Sequence, residues 1–492
     1  MAHFSDSKFE MWNGTGLVIL LLGAILIVTA SAASGNNSSK AVVCYQGTWS
    51  VYRPGLGKFD VAEIDPFLCT HLIYAFLGIE ETGKLRVIDA YLDLEDNGGR
   101  GNIKNFNALK LKNPTLKTLV AVGGWNEGSK KFSIVASDPE KRAVFVDDVV
   151  RFLQRHGFDG LDLDWEYPGQ RHSLDNEDRS NYIAFLKDLK EGLEPFGFML
   201  TAAVGSAQFS AEISYDIPAI VPYLDLINVM AYDLHGPWDE VVGINAPLYG
   251  SASDATDSTG RQQQLNVDAI VKYWLQAGAP AQKLVLGVPF YGRTFTLTTA
   301  EGHEPGSPHI GKGIAGKYSR EPGVLGYNEL CEKMGQEEWT QKWEPDQQVP
   351  YAFRERQWVG YEDMRSLSLK AQFVMQHQLG GIMIWSLESD DFRGTCGQQR
   401  YPLLNEINRV LFGSGTPTGL TTESNEDQPS KTFSCPADAP LGYVRDPKNC
   451  SKFYYCSGGN THRFDCPSGL NFDLTTSSCN YSDSVNCSPL SA

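Results

Sequence analysis

The chain has 492 residues, of which 42% are hydrophobic, 11% aromatic and 21% charged. That composition is globular, long enough for a large domain plus a small one, and too apolar for chain-wide disorder. The formal net charge of −17 argues against nucleic acid or an anionic membrane surface as the main partner. The acidity serves solubility and selects no substrate.

The N-terminal segment carries Asp6, Lys8 and Glu10, then an apolar run from Gly16 to Ala33 that contains Ala30-Ser31-Ala32. Residues 1–33 read as a signal peptide with an A-x-A-like cleavage site. The run is also just long enough for an uncleaved membrane anchor. Either way the rest of the chain is expected outside the cytosol, as a secreted, extracellular protein. Sequons at Asn36, Asn37, Asn449, Asn480 and Asn486 permit N-glycosylation.

From residue 41 onward, short β-type runs alternate with helical patterns. The expected strands are Ala41–Trp49, His71–Gly78, Lys117–Trp125, Gly160–Tyr167, Met199–Ser206, Leu226–Leu234, Leu284–Arg293 and Gly381–Glu388. Several are near-continuous apolar runs, as strands buried on both faces require. Helical periodicity lies between them, for example Lys141–Gln154 and Asn181–Leu193. Eight strands with intervening helices predict an α/β fold, a (β/α)₈ TIM barrel over residues 41–412. A doubly wound open sheet is the alternative, but no nucleotide-type Gly loop follows the first strand. About residues 294–361 are too long for one helix and read as an inserted α+β subdomain on the active face.

Residues 413–434, GSGTPTGLTTESNEDQPSKTFS, have no apolar periodicity and read as a linker. Ten cysteines are present, and six of them fall between Cys435 and Cys487. That density predicts a small disulfide scaffold in an oxidising compartment. A zinc site is disfavoured, since the tail has no C-x-x-C pair and its histidine is His462 alone.

The sharpest chemical signal is Asp159-Gly160-Leu161-Asp162-Leu163-Asp164-Trp165-Glu166-Tyr167-Pro168. On a strand, period two sends Asp162, Asp164 and Glu166 to one face, ~6–7 Å apart along the backbone. In a barrel that face is the interior, with Glu166 nearest the C-terminal rim where barrel active sites lie. Three stacked carboxyls cannot all ionise cheaply, so the stack keeps a proton. A protonated Glu at neutral pH is what a glycosidic general acid must be. A solvent-facing acidic strand end would not require the apolar Leu161, Leu163 and Trp165 on the other side. Glycosidases ordinarily oppose two carboxyls across the sugar; here Asp164 and Glu166 approach from the same side. An N-acetyl group on the sugar can then serve as nucleophile, the substrate-assisted exception.

The DGLDLDWEYP stretch resembles the signature of glycoside hydrolase family 18, the chitinases. Other segments resemble the family in order: Ala41–Trp49 its first strand, KTLVAVGGW at Lys117–Trp125 its third, Met230-Ala231-Tyr232-Asp233 its sixth, and Gly380–Trp385 its eighth. The resemblance covers about residues 41–412. It implies Glu166 as general acid and then base, Asp164 orienting the N-acetyl group, and Asp162 holding the spare proton. It further implies substrate contacts from Tyr232 and Asp233, Trp385 as the sugar floor, and Trp125, Tyr291, Arg293 and Tyr74 as additional contacts. Cys44–Cys69 and Cys331–Cys396 would be the barrel's disulfides.

The tail spacing C-x14-C-x5-C-x9-C-x12-C-x7-C resembles the peritrophin-A type of chitin-binding domain at 435–487. That resemblance implies the pairs Cys435–Cys456, Cys450–Cys487 and Cys466–Cys479. Of Phe453, Tyr454, Tyr455, Phe464 and Phe472, some must pack rather than bind in so small a core. The expected function is a chitinase hydrolysing β-1,4-linked N-acetylglucosamine polymers with retention. Chitin and its oligosaccharides are the expected partners, and a membrane only if the N-terminal segment stays uncleaved. The alternatives are a non-catalytic chitin-binding lectin, which the complete carboxylate set disfavours, and an enzyme acting on N-glycan cores, which the tail disfavours. Gly311–Gly316 matches G-x-G-x-x-G without a strand-to-helix context, and His303-Glu304 lacks a second His. No metal or organic cofactor is implied.

Overall fold

The computed structural model describes residues 40–174, 176–252, 259–397, 399–413, 442–445, 449–457, 460–466, 470–474, 478–481 and 485. The signal or anchor segment, the linker beyond Gly413, Cys435, Cys487 and the tail's cysteine pairing lie outside these residues. Two compact units are present, one reaching Gly419 and one beginning at Leu420.

In the first unit eight parallel strands close on themselves. They are β1 Ala41–Gly47, β2 His71–Ile79, β3 Lys117–Gly123, β4 Gly160–Asp164, β5 Met199–Gly205, β6 Leu226–Met230, β7 Leu284–Pro289 and β8 Gly381–Trp385. Each pairs with its sequence neighbour, and β1 pairs with both β2 and β8. The seam between β1 and β8 is tight: a Cβ on Gly381 would lie 1.9 Å from the Ala41 carbonyl oxygen. The barrel is therefore the (β/α)₈ fold.

Two apolar cores follow from the period of two. Outward residues such as Val42, Leu72, Val120, Leu161, Leu163 and Leu286 pack under the helices. Inward ones, including Val43, Ile73, Ala75, Leu119, Val285 and Met383, fill the barrel's interior. Helix Pro139–His156 illustrates the outer layer. Asp138 caps it through Glu140 and Lys141 amides, Pro139 fixes its first turn, and Gly157 ends it at φ 76°. Phe145, Val149 and Leu153, four apart, are its buried stripe.

The seventh strand is shorter than expected. It ends at Pro289, one residue before the Phe290 amide makes a last bond to the Trp385 carbonyl of β8 at 2.9 Å. Tyr291–Leu297 instead joins a six-stranded antiparallel sheet with His309–Lys312, Val324–Gly326, Thr340–Glu344, Val349–Arg354 and Gln357–Gly360. With helix Tyr327–Gln336 this is the inserted subdomain, beginning slightly earlier than residue 294. Gly311 lies on one of its strands, and the next element is the strand Val324–Gly326, so Gly311–Gly316 opens no helix.

Cys44–Cys69 and Cys331–Cys396 are bonded, with Cα–Cα distances of 6.2 and 5.8 Å. The first ties β1 to the loop before β2; the second ties the insertion's helix to the segment after β8. In the second unit Gly442–Arg445, Lys452–Ser457 and Asn460–Asp465 form an antiparallel sheet, and Leu470–Asp473 pairs with Ser478–Tyr481. Phe453 stacks on Phe472 with centroids 3.9 Å apart, and Phe472 and Tyr454 are buried. These three aromatics pack. Cys450 and Cys466 are each engaged in a disulfide.

Candidate active site

The alternation on β4 has the consequence read from its sequence. Leu161, Leu163 and Trp165 are buried toward the helices, where Trp165 stacks on Phe132 at 5.5 Å and donates to the Ser129 hydroxyl. Asp162 and Asp164 point into the barrel, and Glu166 follows just past the last strand residue; all three are buried. The last glycine of β3 makes room for this column. Gly123 sits at φ 122°, and a Cβ there would lie 2.0 Å from the Asp164 carbonyl oxygen.

The three carboxyls have different surroundings. Asp162 accepts from Tyr45 of β1 at 2.6 Å, from Thr201 of β5 at 2.6 Å and from Asn228 of β6 at 3.0 Å. Burial pushes its pKa up, and these donors pull it back. Asp164 is raised well above the carboxylate range by burial, then by the neighbouring charges of Glu166 and Asp162, and its Oδ1 has no partner. Glu166 is pushed up to about 7, chiefly by burial and further by Asp233, against a hydrogen bond from Tyr167 and the charge of Arg171. The donors favour a negative Asp162 and a protonated Asp164 above it, with Glu166 poised to hold or release a proton near neutrality.

At the ends of β6 and β7 a second group assembles. Asp233, at φ 55°, accepts from the Tyr291 hydroxyl at 2.6 Å and is gripped by Arg293 through Nε at 2.7 Å and Nη2 at 2.5 Å. Asn245 receives the Asp233 amide at 2.9 Å and donates to the Tyr291 carbonyl, fixing both. Tyr232 lies beside Tyr291, with its hydroxyl near the Met383 sulfur. A bidentate grip of this kind occupies both oxygens of Asp233 and fixes its plane.

Trp385, at the end of β8, sits among aromatic rings: Tyr45 at 5.5 Å, Phe76 at 5.7 Å and Trp49 at 6.2 Å between centroids. Trp125 is 60% exposed at the end of β3, and Trp238, also exposed, lies 5.0 Å from the Arg293 guanidinium. Exposed indoles around a polar column suit the apolar C–H faces of sugar rings. Tyr74 is a correction. It falls on the outward phase of β2, fully buried against Phe106 and Phe158, with its hydroxyl on Asp93 at 2.5 Å. It is a core residue and lines no groove.

Sequence reasoning missed Tyr45, Thr201, Asn228, Asn245, Trp49, Phe76, Trp238 and Arg171. Tyr45 is legible in the sequence: Ala41, Val43 and Tyr45 share the inward phase of β1. The others meet the site only through tertiary neighbours.

Residues 41–390 match the model of glycosyl hydrolases family 18, and residues 435–487 match the chitin-binding Peritrophin-A domain. The chain belongs to glycosyl hydrolase family 18. It is 37% identical to chitotriosidase-1 of Mus musculus over 463 residues, 90% of this chain and 95% of that one. The crystal structure of the group IV chitinase of Ostrinia furnacalis in complex with allosamidin is similar at 48% identity. Its TM-score is 0.73, with 77% of this chain and 100% of that one covered. Human YKL-39, described as a pseudo-chitinase with retained chitooligosaccharide binding, is 36% identical with a TM-score of 0.69, over 76% of this chain and 99% of that one. As a family 18 member, the chain carries its Asp-Asp-Glu column on and just after β4 of the barrel, with a chitin-binding domain at residues 435–487 of the same chain.

Proposed function

We propose that this chain is a secreted chitinase that cleaves β-1,4 bonds between N-acetylglucosamine units with retention, using the substrate's N-acetyl group as nucleophile. One observation carries the reading. Glu166 and Asp164 lie on the same side of the site, while Asp233, the further carboxylate whose charge Glu166 feels, is bound by Arg293 and Tyr291. A carboxylate whose oxygens are held in this way is a poor nucleophile, so the attack on the anomeric carbon falls to the substrate.

The acetamido oxygen attacks the anomeric carbon as the glycosidic bond breaks, and Glu166 gives its proton to the leaving oxygen. The cyclic oxazolinium cation is met by Asp164, which becomes anionic by passing its proton down to Asp162. Glu166, now a carboxylate, takes a proton from water attacking the same carbon, and the ring opens with net retention. Tyr232 and Asp233 hold the acetamido group and sugar hydroxyls, and Trp385 supports the ring. An intact Glu166 separates this reading from a lectin, and the chitin-binding module separates it from an enzyme of N-glycan cores. Secretion and N-glycosylation belong to the same proposal, supported by disulfides that persist in oxidising compartments.

Because the Glu166 pKa lies at about 7, its acid form prevails below neutrality and is lost above it. The kcat/KM profile on a soluble N-acetylglucosamine tetramer should fall on the alkaline side with a limb near pH 7. A profile flat to pH 9 would count against Glu166 as the acid. For the tail, ending the chain after Gly413 should cut release from insoluble chitin roughly tenfold, with tetramer hydrolysis unchanged. Equal losses on both substrates would contradict a tethering role.

A further inference from the structure

The loop leaving β4 brings Arg171 back over the site. Arg171 occupies the left-handed region at φ 51°, a conformation that a non-glycine residue keeps only when its surroundings hold it. Its neighbour Gln170 is anchored on the Ser214 hydroxyl at 2.7 Å and the Ser210 carbonyl at 3.1 Å. From there the Arg171 guanidinium donates to the Glu166 carbonyl at 3.1 Å and the Trp125 carbonyl at 2.9 Å. Its Cζ lies 3.4 Å from the centroid of the Trp125 ring.

We propose that Arg171 is a positioning residue that makes Trp125 a rigid, one-faced sugar platform and braces it against the backbone of Glu166. Trp125 needs such a brace. It follows Gly123 and Gly124, both at positive φ, and 60% of it is exposed. An indole so placed samples several rotamers when unsupported, and stilling it on binding costs affinity. A guanidinium flat on one face supplies cation–π attraction and leaves the other face for a sugar. The two carbonyl contacts join the ends of β3 and β4, so the platform and the acid keep a fixed spacing. The same charge opposes the upward push of burial on the Glu166 pKa, which gives the clamp a second, separable readout.

This inference rests on the proposed chitinase reading, and the experiment keeps the two apart. Hydrolysis of a soluble N-acetylglucosamine hexamer is measured for the wild type, Arg171→Met, Arg171→Lys, Trp125→Ala and the Arg171→Met/Trp125→Ala pair, with melting curves for each. Arg171→Met should raise the hexamer KM about 3- to 10-fold, leave kcat nearly unchanged at its optimum, and move the alkaline limb upward. In the Trp125→Ala background it should add no further rise in KM, since the two side chains act as one unit. Arg171→Lys keeps the charge but not the flat fork, so it should restore the limb and not the KM. A KM unmoved by Arg171→Met, or a rise that simply adds to that of Trp125→Ala, would overturn the proposal, as would an unmoved limb. Should Arg171→Met fail to fold, Arg171→Lys reads the same KM comparison. A wild type without turnover would instead defeat the chitinase reading; hexamer affinity, read by tryptophan fluorescence in the Glu166→Gln background, would still test the clamp.

Discussion

Glu166→Gln should lower hydrolysis of chitin oligomers by about 10³-fold, within the range that one general acid supplies. Gln keeps the shape of the side chain and loses the transferable proton, so the groove should bind as before. Trp385, Tyr45, Phe76 and Trp49 stack among themselves without Glu166, and the Arg293 grip on Asp233 is independent of it. Product release by chromatography and oligomer affinity by calorimetry check the two halves. Loss of turnover with affinity retained supports an acid at the rim of a working groove. Residual activity within about tenfold of the wild type would mean that another group delivers the proton, since the 10²–10⁴-fold ordinarily expected of such an acid would be absent.

Asp164→Asn should reduce kcat by roughly 10²- to 10³-fold, the scale of removing one preorganised electrostatic partner from a transition state. The amide cannot carry the negative charge that the oxazolinium requires. The same change should stabilise the fold at neutral pH. The folded-state pKa of Asp164 is raised by burial and like charge, and its Oδ1 has no donor. For a carboxyl raised in this way, the folded state holds its proton more tightly than the unfolded chain. Its contribution is complete below the ordinary aspartate pKa and is lost as pH rises through the folded one. Asn does not titrate, so its advantage in melting temperature over the wild type should be larger at pH 8 than at pH 5. An Asn variant that is less stable at both pH values would show that the carboxyl contributes to the fold, contrary to its unsatisfied surroundings. Function here is held at some expense of stability.

How much of this was legible in the sequence depends on what each residue answers to. All eight barrel strands begin where their apolar runs begin, because a strand buried on both faces leaves a dense local signal. Their C-terminal ends were read too long in most cases. Trp125, Glu166 with Tyr167, and Tyr232 with Asp233 lie past the barrel ladder in loop backbone whose residue types still look strand-like, while Arg293 belongs to the next strand, in the insertion's sheet. The Asp162-Asp164-Glu166 column was readable because its period is local. Tyr74 is misassigned because a lone aromatic within an apolar strand does not declare its face; the phase shared with Leu72 decides it. Thr201, Asn228, Asn245 and Arg171 were illegible for a different reason. Each matters through hydrogen bonds that only the folded chain brings together, and composition and spacing carry no trace of them.

The seam between β1 and β8 bears on how the chain reaches this state. Gly47 donates to Glu388, 341 residues further along, and Gly381 pairs with Ala41. Both contacts span nearly the whole unit, so they are among the last for which loop-closure entropy is recovered. Until β8 arrives, β1 and β7 each present an unpaired parallel edge, the kind of surface on which chains aggregate. The ring of strands becomes a shared object only at its final joint. Trp385, whose strand supplies that joint, takes its place among Tyr45, Phe76 and Trp49 at the same moment, so a barrel that has not closed has no sugar floor and no active enzyme.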